Sequence, residues 1–387
     1  MHKKNLYVAK TLFGFENILA DELNSLNCSD VKVLNRAVTF SGDKKTLYRV
    51  NLRSRLSLNI LMEWANFWTR NEDDFYKQVK KLPWNEVLSP EKTFMIKTNI
   101  PKSKVFQHSQ FIGLRAKDAI ADYFTESMGK RPNVDTVDPD VKIQVYINGN
   151  KCSISLDSSG EALFKRGYRT NTGFAPINEV LAAGIIALSG WHGQTTFYDP
   201  MCGSGTFLIE AAMIAHNIPP GMKRRFGFQN WINYTPALWQ QVFKEESEKV
   251  TDTQIDIIGS DTKQVNLEIA RENITNAFLE DSIRVSKKDF FTSEWNKNEP
   301  PHMVFNPPYN KRLEENDVIA FYKKIGDTLK FGYSGAEAWI ISANVDAMKF
   351  IGLRPSKKIK LFNGPLECKL QQYKMYRGSK AELHTNK

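Results

Sequence analysis

Apolar positions recur in two periods, and the dominant period changes along the chain. Residues 6–8 alternate as a strand does. Phe15, Ile18, Leu19, Leu23 and Leu26 then recur at helical spacing and predict a helix over 15–26. Runs at 31–34 and 37–40 predict a hairpin, and 47–56 a second helix. The apolar, aromatic run 58–67 reads as a strand. A short helix over 73–81 stops before Pro83, and 93–98 reads as another strand. Phe111, Ile112, Leu114, Ala119, Ile120 and Tyr123 give 109–128 one apolar side. Strands 141–147 and 151–156 flank Asn148-Gly149-Asn150, a strong hairpin signal. From about Ala162 the texture becomes helix 178–188, strand 195–198, glycine-rich turn and helix 207–217. Short strands at 255–259, 283–286 and 303–305 follow. That alternation predicts a parallel α/β sheet. The chain therefore divides into an α+β region at 1–56, a second α+β region at 57–157 and an α/β domain at 158–379.

Composition sets bounds on this picture. Apolar residues make up 41% and charged residues 25%, which excludes a disordered or collagenous chain. Cys28, Cys152, Cys202 and Cys368 lie far apart with no CxxC, so neither a disulfide framework nor a cysteine metal site is expected. No apolar run reaches the ~18 residues of a membrane span, and no secretion-type apolar core follows Met1. A soluble, cytoplasmic protein is expected. The net charge of +10 is unevenly spread. Residues 1–170 hold 27 Lys+Arg against 19 Asp+Glu, whereas 171–222 hold no Lys or Arg. The imbalance suggests a polyanion partner for the front half, although a modest chance excess would look the same.

The strand at 195–198 runs into Asp199-Pro200-Met201-Cys202-Gly203-Ser204-Gly205-Thr206 and then a helix. Glycines let a backbone turn tightly against a ligand, and the helix N-terminus adds free N–H groups. There is no GxxxxGK[ST], and Leu208 stands where a dinucleotide fold wants its third glycine. Asp199 opens the turn. A carboxylate there repels a pyrophosphate but holds a cation, which favours S-adenosylmethionine, with its sulfonium and ammonium groups. Asp261 and Asp289 end the next two strands, where open α/β sheets bind ligands. Asp261 suits ribose hydroxyls, Asp289 an adenine amino group, and Phe290 the adenine ring. An ordinary surface acid is the competing reading for both.

The fourth strand, 303–305, ends in Asn306-Pro307-Pro308-Tyr309. Prolines fix the backbone and remove N–H donors while keeping carbonyl acceptors. Asn306 Oδ1 and the Pro307 carbonyl can each accept one hydrogen of an exocyclic NH2. Tyr309 offers a flat face for a base. No cysteine stands where a base C5-methyltransferase would need one, and GxSxG and HExxH are absent.

With these motifs the chain resembles the THUMP-domain RNA guanine-N2 methyltransferases of the bacterial large-subunit rRNA methyltransferase L type. Phe164-Lys165-Arg166-Gly167-Tyr168-Arg169 resembles their lead-in segment, and Ala175-Pro176 leads into the first helix. Ile218-Pro219-Pro220-Gly221 with Phe226-Gly227-Phe228 and Trp231 resembles their insertion. Leu361-Phe362-Asn363-Gly364-Pro365-Leu366-Glu367-Cys368 resembles their last hairpin. The family usually carries Lys where Ile177-Asn178 stand, and Gly-Glu-Arg-Leu where Asn310-Lys311-Arg312-Leu313 stand.

The resemblance implies a ferredoxin-like region, a THUMP domain that docks RNA, and a seven-stranded class I methyltransferase domain. It implies S-adenosylmethionine as cofactor, no metal and no membrane partner. The expected donor-binding set is Pro176, Asp199, Pro200, Cys202, Gly203, Gly205, Thr206, Asp261, Asp289, Phe290 and Asn306. Asn306, Pro307 and Tyr309 form the expected catalytic turn. Candidate phosphate contacts are Lys97, Lys102, Lys104, Arg115 and Lys117, with Lys165, Arg166 and Arg169 at the domain junction. A guanine in 23S rRNA is the expected substrate. Guanine in tRNA, adenine N6 in DNA, and a non-catalytic RNA-binding assembly factor are the alternatives.

Overall fold

A computed structural model describes residues 4–169, 177–308 and 315–376. In chain order its front part runs β1 (Asn5–Lys10), α1 (Glu16–Ser25), β2 (Ser29–Leu34), β3 (Ala37–Gly42), α2 (Lys44–Arg53) and β4 (Asn59–Trp68). Then come α3 (Glu72–Lys80), β5 (Phe94–Lys102), α4 (Ser109–Met128), β6 (Val141–Asn148) and β7 (Lys151–Asp157). The back part runs α5 (Glu179–Ser189), β8 (Phe197–Asp199), α6 (Thr206–Ala215), α7 (Pro236–Ser247), β9 (Ile257–Asp261), α8 (Gln264–Ala277), β10 (Ile283–Lys287) and β11 (His302–Phe305). It closes with α9 (Glu315–Gly332), β12 (Glu337–Ser342), β13 (Lys357–Asn363) and β14 (Leu366–Lys374).

The chain forms two compact units. One comprises Met1–Thr11, Leu19–Leu163 and Arg224–Glu246; the other comprises Leu12–Ile18, Phe164–Lys223 and Ser247–Lys387. In the first unit a single sheet runs β2-β3-β1-β4-β7-β6-β5. The ten-residue β4 joins its halves, pairing antiparallel with β1 on one side and with β7 on the other. Helix α2 starts three residues before the apolar pattern does. Asp43 caps it, its Oδ1 accepting from Thr46 N–H (2.8 Å) and Oγ1–H (2.9 Å). Residues 224–246 add an aromatic cluster to this unit: Phe228 stacks on Tyr48 with centroids 4.3 Å apart, and Trp239 meets both edge-on.

The second unit's sheet runs β10-β9-β8-β11-β12-β14-β13, parallel except around β14. Strand order reverses beside β8, with β9 on one side and β11 on the other. Ligands bind at such switch points, outside the carboxyl ends of the strands. A core of Tyr198, Phe290, Phe305, Tyr322, Leu329 and Tyr333 lies under that edge. Phe15 also belongs to this unit and packs where Gly184 of α5 leaves room; a Cβ there would stand 2.1 Å from its ring.

Candidate active site

Strand β8 delivers Asp199 to the switch point, and the turn after it is tied down. Cys202 N–H donates to the Ser260 carbonyl on β9 (2.9 Å), and Gly205 N–H to the Cys202 carbonyl (2.8 Å). The Pro200 carbonyl accepts from Ser260 Oγ (3.3 Å). Gly205 precedes α6 at φ +78°, a conformation strained for any side chain with a Cβ. A Cβ on Gly203 would meet nothing within 4 Å, so open space lies against the turn. Thr206 then opens α6, whose N-terminal N–H groups close the cradle.

Two carboxylates flank this turn. Asp199 is buried and its Oδ1 accepts from Met201 N–H (3.0 Å). Burial pushes its carboxyl well above the usual carboxylate range, and nearby Asp261 pushes the same way. Among the described residues no ion pair reaches it. Asp261 buckles the turn to β9: Oδ2 accepts from Gly203 N–H (3.1 Å) and Oδ1 from Lys263 N–H (2.9 Å). Asn266 Nδ2 donates to both oxygens at 3.1 Å. Asn266 was not foreseen; the acid's position at a strand end followed by a helix was the available signal. Asp289 is exposed and accepts from Phe291 N–H (2.9 Å). Phe290 corrects the sequence reading. Its ring is 2% exposed and packed against Phe305 and Tyr333 at centroid distances of 5.7 and 5.5 Å. It is a wall of the core and has no free face for adenine.

On the other side of β8, Asn306 follows directly on β11. Its Oδ1 is buried and has no hydrogen-bond partner. Leaving a buried acceptor unpaired costs about 1–3 kcal/mol, so a donor arriving there recovers that energy. Pro307 beside it is buried and Pro308 exposed. Tyr309 and Pro176 lie outside the described residues.

Lys97, Lys102, Lys104 and Lys165 are exposed, as phosphate contacts require. Arg115 pairs with Asp73 (2.8 Å) and lies over Tyr76, and Lys117 pairs with Asp118 (2.8 Å). Arg166 and Arg169 are corrections. The Arg166 side chain is 1% exposed and faces Glu210 at 3.5 Å. Tyr168 donates to the same Glu210 (3.1 Å). Arg169 Nη2 donates to Thr206 Oγ1 (2.7 Å) and the Ile177 carbonyl (3.1 Å), and its Nε lies 3.4 Å from Glu179. Arginines buried against Glu210, Glu179 and Thr206 face α5 and α6 inside the unit rather than an external phosphate. Acids at 179 and 210 inside otherwise apolar helices were the sequence signal for these pairs. Asn178 caps α5 by accepting from Val180 and Leu181 N–H (2.9 and 3.2 Å).

Among the described residues no helix is long and apolar enough to cross a membrane, and no group of His, Cys, Asp and Glu is placed to hold a metal. A sheet in this strand order, with a tied glycine turn at its switch point, defines a class I S-adenosylmethionine-dependent methyltransferase. Family models match along the chain: the RlmL ferredoxin-like domain at 7–61, the THUMP domain at 69–157 and the RMKL-like methyltransferase domain at 166–372. The chain belongs to the RMKL-like methyltransferase family.

Its sequence is 37% identical over 377 residues to a Synechocystis protein named as a candidate RNA methyltransferase, covering 96% of this chain and 97% of that one. It is 34% identical over 376 residues to ribosomal RNA large subunit methyltransferase K/L of Marinomonas, covering 95% of this chain and 52% of that one. The chain thus spans about half the length of that relative. A candidate methyltransferase solved with SAH matches with TM-score 0.86 at 31% identity, over 98% of this chain and all of that one. A Listeria monocytogenes protein described as a predicted N6-adenine-specific DNA methylase matches with TM-score 0.87 at 30% identity, over 96% and 97%.

S-adenosylmethionine is the cofactor, and the residues present fit it. The open space at Gly203 gives room for the donor against the turn. Asp199 is buried beside this space, and the charge acting on it is that of another acid, Asp261, so a cationic ligand group complements it.

Proposed function

We propose that this chain methylates the exocyclic N2 of a guanine in RNA, with 23S rRNA as the substrate. The observation that carries the reading is the buried, unpaired Asn306 Oδ1 beside Pro307. Asn306 Oδ1 and the Pro307 carbonyl each accept one amino hydrogen and turn the nitrogen lone pair out of the base plane. Bound S-adenosylmethionine supplies a methyl group on a positively charged sulfur. Held by the Asp199–Thr206 turn and Asp261, it would supply the carbon of the new N–C bond as its S–C bond breaks to leave a neutral thioether, the amine proton passing to solvent. N2 is barely basic, so no strong base precedes transfer. Rate comes from positioning and from the acceptors waiting at the nitrogen. Asp199 serves the cationic methionine end, Asp261 the ribose and Asp289 the adenine amino group. Tyr309 stacks on the target base, and Pro176 lines the donor.

The THUMP match and the rRNA methyltransferase K/L relative favour RNA. The Listeria protein's description favours adenine N6 in DNA as a second reading. The test is incubation with methyl-labelled donor and separate rRNA, tRNA and DNA fractions, then mass spectrometry of the labelled nucleoside. N2-methylguanosine in rRNA is expected. Label in tRNA moves the substrate, N6-methyladenine in DNA replaces the reading, and no label in any fraction leaves an assembly factor.

A further inference from the structure

The part of the first unit's sheet formed by β4, β7, β6 and β5 has two unlike faces. Helices cover one: Phe75 of α3 meets Phe67, and α4 comes close to Thr98 at Gly113. Strand β6 records this division in its burial, with Val141, Ile143, Val145 and Ile147 buried and Tyr146 and Asn148 exposed.

The register lays out the uncovered face in rows. One row reads Asn99, Tyr146, Ser153, Asn66 across the four strands. The next reads Lys102, Asn148, Lys151, Trp68. Trp68 is 70% exposed and Tyr146 43%. Lys102 and Lys151 are exposed, and neither row contains an acid. The neighbouring row adds exposed Lys97; its acid, Glu63, is half-buried and accepts from Ser153 Oγ (3.3 Å). Two strand spacings and one pleat repeat place Trp68 and Tyr146 roughly 12 Å apart.

Leaving a tryptophan and a tyrosine in water beside lysines has no value for packing, because the core lies on the opposite face. The geometry points to a docking platform for single-stranded RNA, on which Trp68 and Tyr146 stack two unpaired bases and Lys97, Lys102 and Lys151 hold the backbone. This rests on the RNA reading above and adds the form of RNA and the surface that takes it. Bases in a duplex are already stacked on each other, so only an unpaired stretch presents faces to these rings. The lysines match a polyanion and contribute affinity that falls with salt.

The test uses the full chain, a labelled unstructured ribo-oligonucleotide of about 12 residues and a hairpin duplex as control. Binding is read by fluorescence anisotropy over a salt series, with rRNA methylation measured on the same preparations. Trp68→Ala and Tyr146→Ala should each weaken single-strand binding by at least about fivefold, without changing the salt slope. Trp68→Phe should keep most of the affinity. Lys151→Gln should lower the salt slope by roughly 0.7. Unchanged thermal melting checks that the exposed substitutions leave the fold intact. Both alanine variants binding within twofold of the parent would overturn the platform, as would parent protein that binds only the duplex. Methylation of rRNA is scored separately: its presence with both alanine variants unaffected in affinity removes the platform alone, and its absence from the parent removes the substrate reading.

Discussion

At Asp199 burial and chemistry pull in opposite directions. The side chain is 2% exposed, and its carboxyl is pushed well above the ordinary range. A cation bound beside it favours the ionised form, so donor binding should expel a proton. The sign follows: affinity rises with pH until the raised pKa of the free protein is passed. Calorimetry in two buffers of different ionisation enthalpy should give different heats, and Asp199→Asn should abolish the difference; equal heats for the parent would remove the cation role. Asn306→Ala should lower transfer about 10²–10³-fold while donor affinity stays within a few-fold, measured by single-turnover methylation and calorimetry. Asp199 and Asn306 draw notice in the sequence because each stands where a short apolar run stops. The place of Arg166 was not legible, because counting charge cannot see burial. With its side chain 1% exposed and Glu210 fully buried, Arg166→Ala removes the cation beside a buried acid that keeps, among the described residues, only the Tyr168 hydroxyl. A loss of about 3–5 kcal/mol in denaturant melts is expected, with no change in the salt slope of RNA binding.

Strands and helices were legible wherever one period held for long enough, as in α4, which spans Ser109–Met128 as read from its apolar side. The start of α2 was misplaced because its signal is a cap, Asp43, and not an apolar residue. The sharing of β4 by two sheet halves was illegible, since strand pairing joins residues about 90 apart, such as Glu63 and Ser155. A pH effect belongs to β11. His302 opens that strand, 7% exposed, with Nε2 2.8 Å from Ser189 Oγ. Desolvation lowers its pKa to about 4. The folded state therefore binds fewer protons than the unfolded one, whose histidine titrates near 6.5. The contribution is fully present above 6.5 and is lost as pH falls through 4, amounting to about 3 kcal/mol over the window. Urea melts between pH 7 and 4 should show His302→Gln losing less stability than the parent. Parallel profiles would show that His302 is not kept neutral by the fold.

The largest feature invisible to local pattern is the return of residues 224–246 to the first unit. Sequence order places them inside the methyltransferase region, but their side chains complete the front core. Tyr48 is 1% exposed because Phe228, Tyr234 and Trp239 surround it. Arg49 and Arg53 reach the buried Glu246 at 2.9 and 3.6 Å. Gly227 packs so closely on Gly160 that a Cβ on it would lie 2.8 Å from Gly160 N. The +8 imbalance of the front half therefore cannot be isolated by cutting the chain after residue 157. Such a fragment loses the aromatic cover of Tyr48 and the partner of two arginines. Loss of one large buried aromatic alone costs about 3–5 kcal/mol, comparable to the whole stability of many domains. Residues 1–163 alone should therefore melt without a cooperative transition. The same residues joined through a Gly/Ser linker to 224–246 should melt cooperatively and bind rRNA with a steep salt dependence. Differential scanning calorimetry decides between the two designs. Equal cooperative melting would mean that 224–246 merely rests on a core already complete, and that the front half's charge can be studied in the shorter piece.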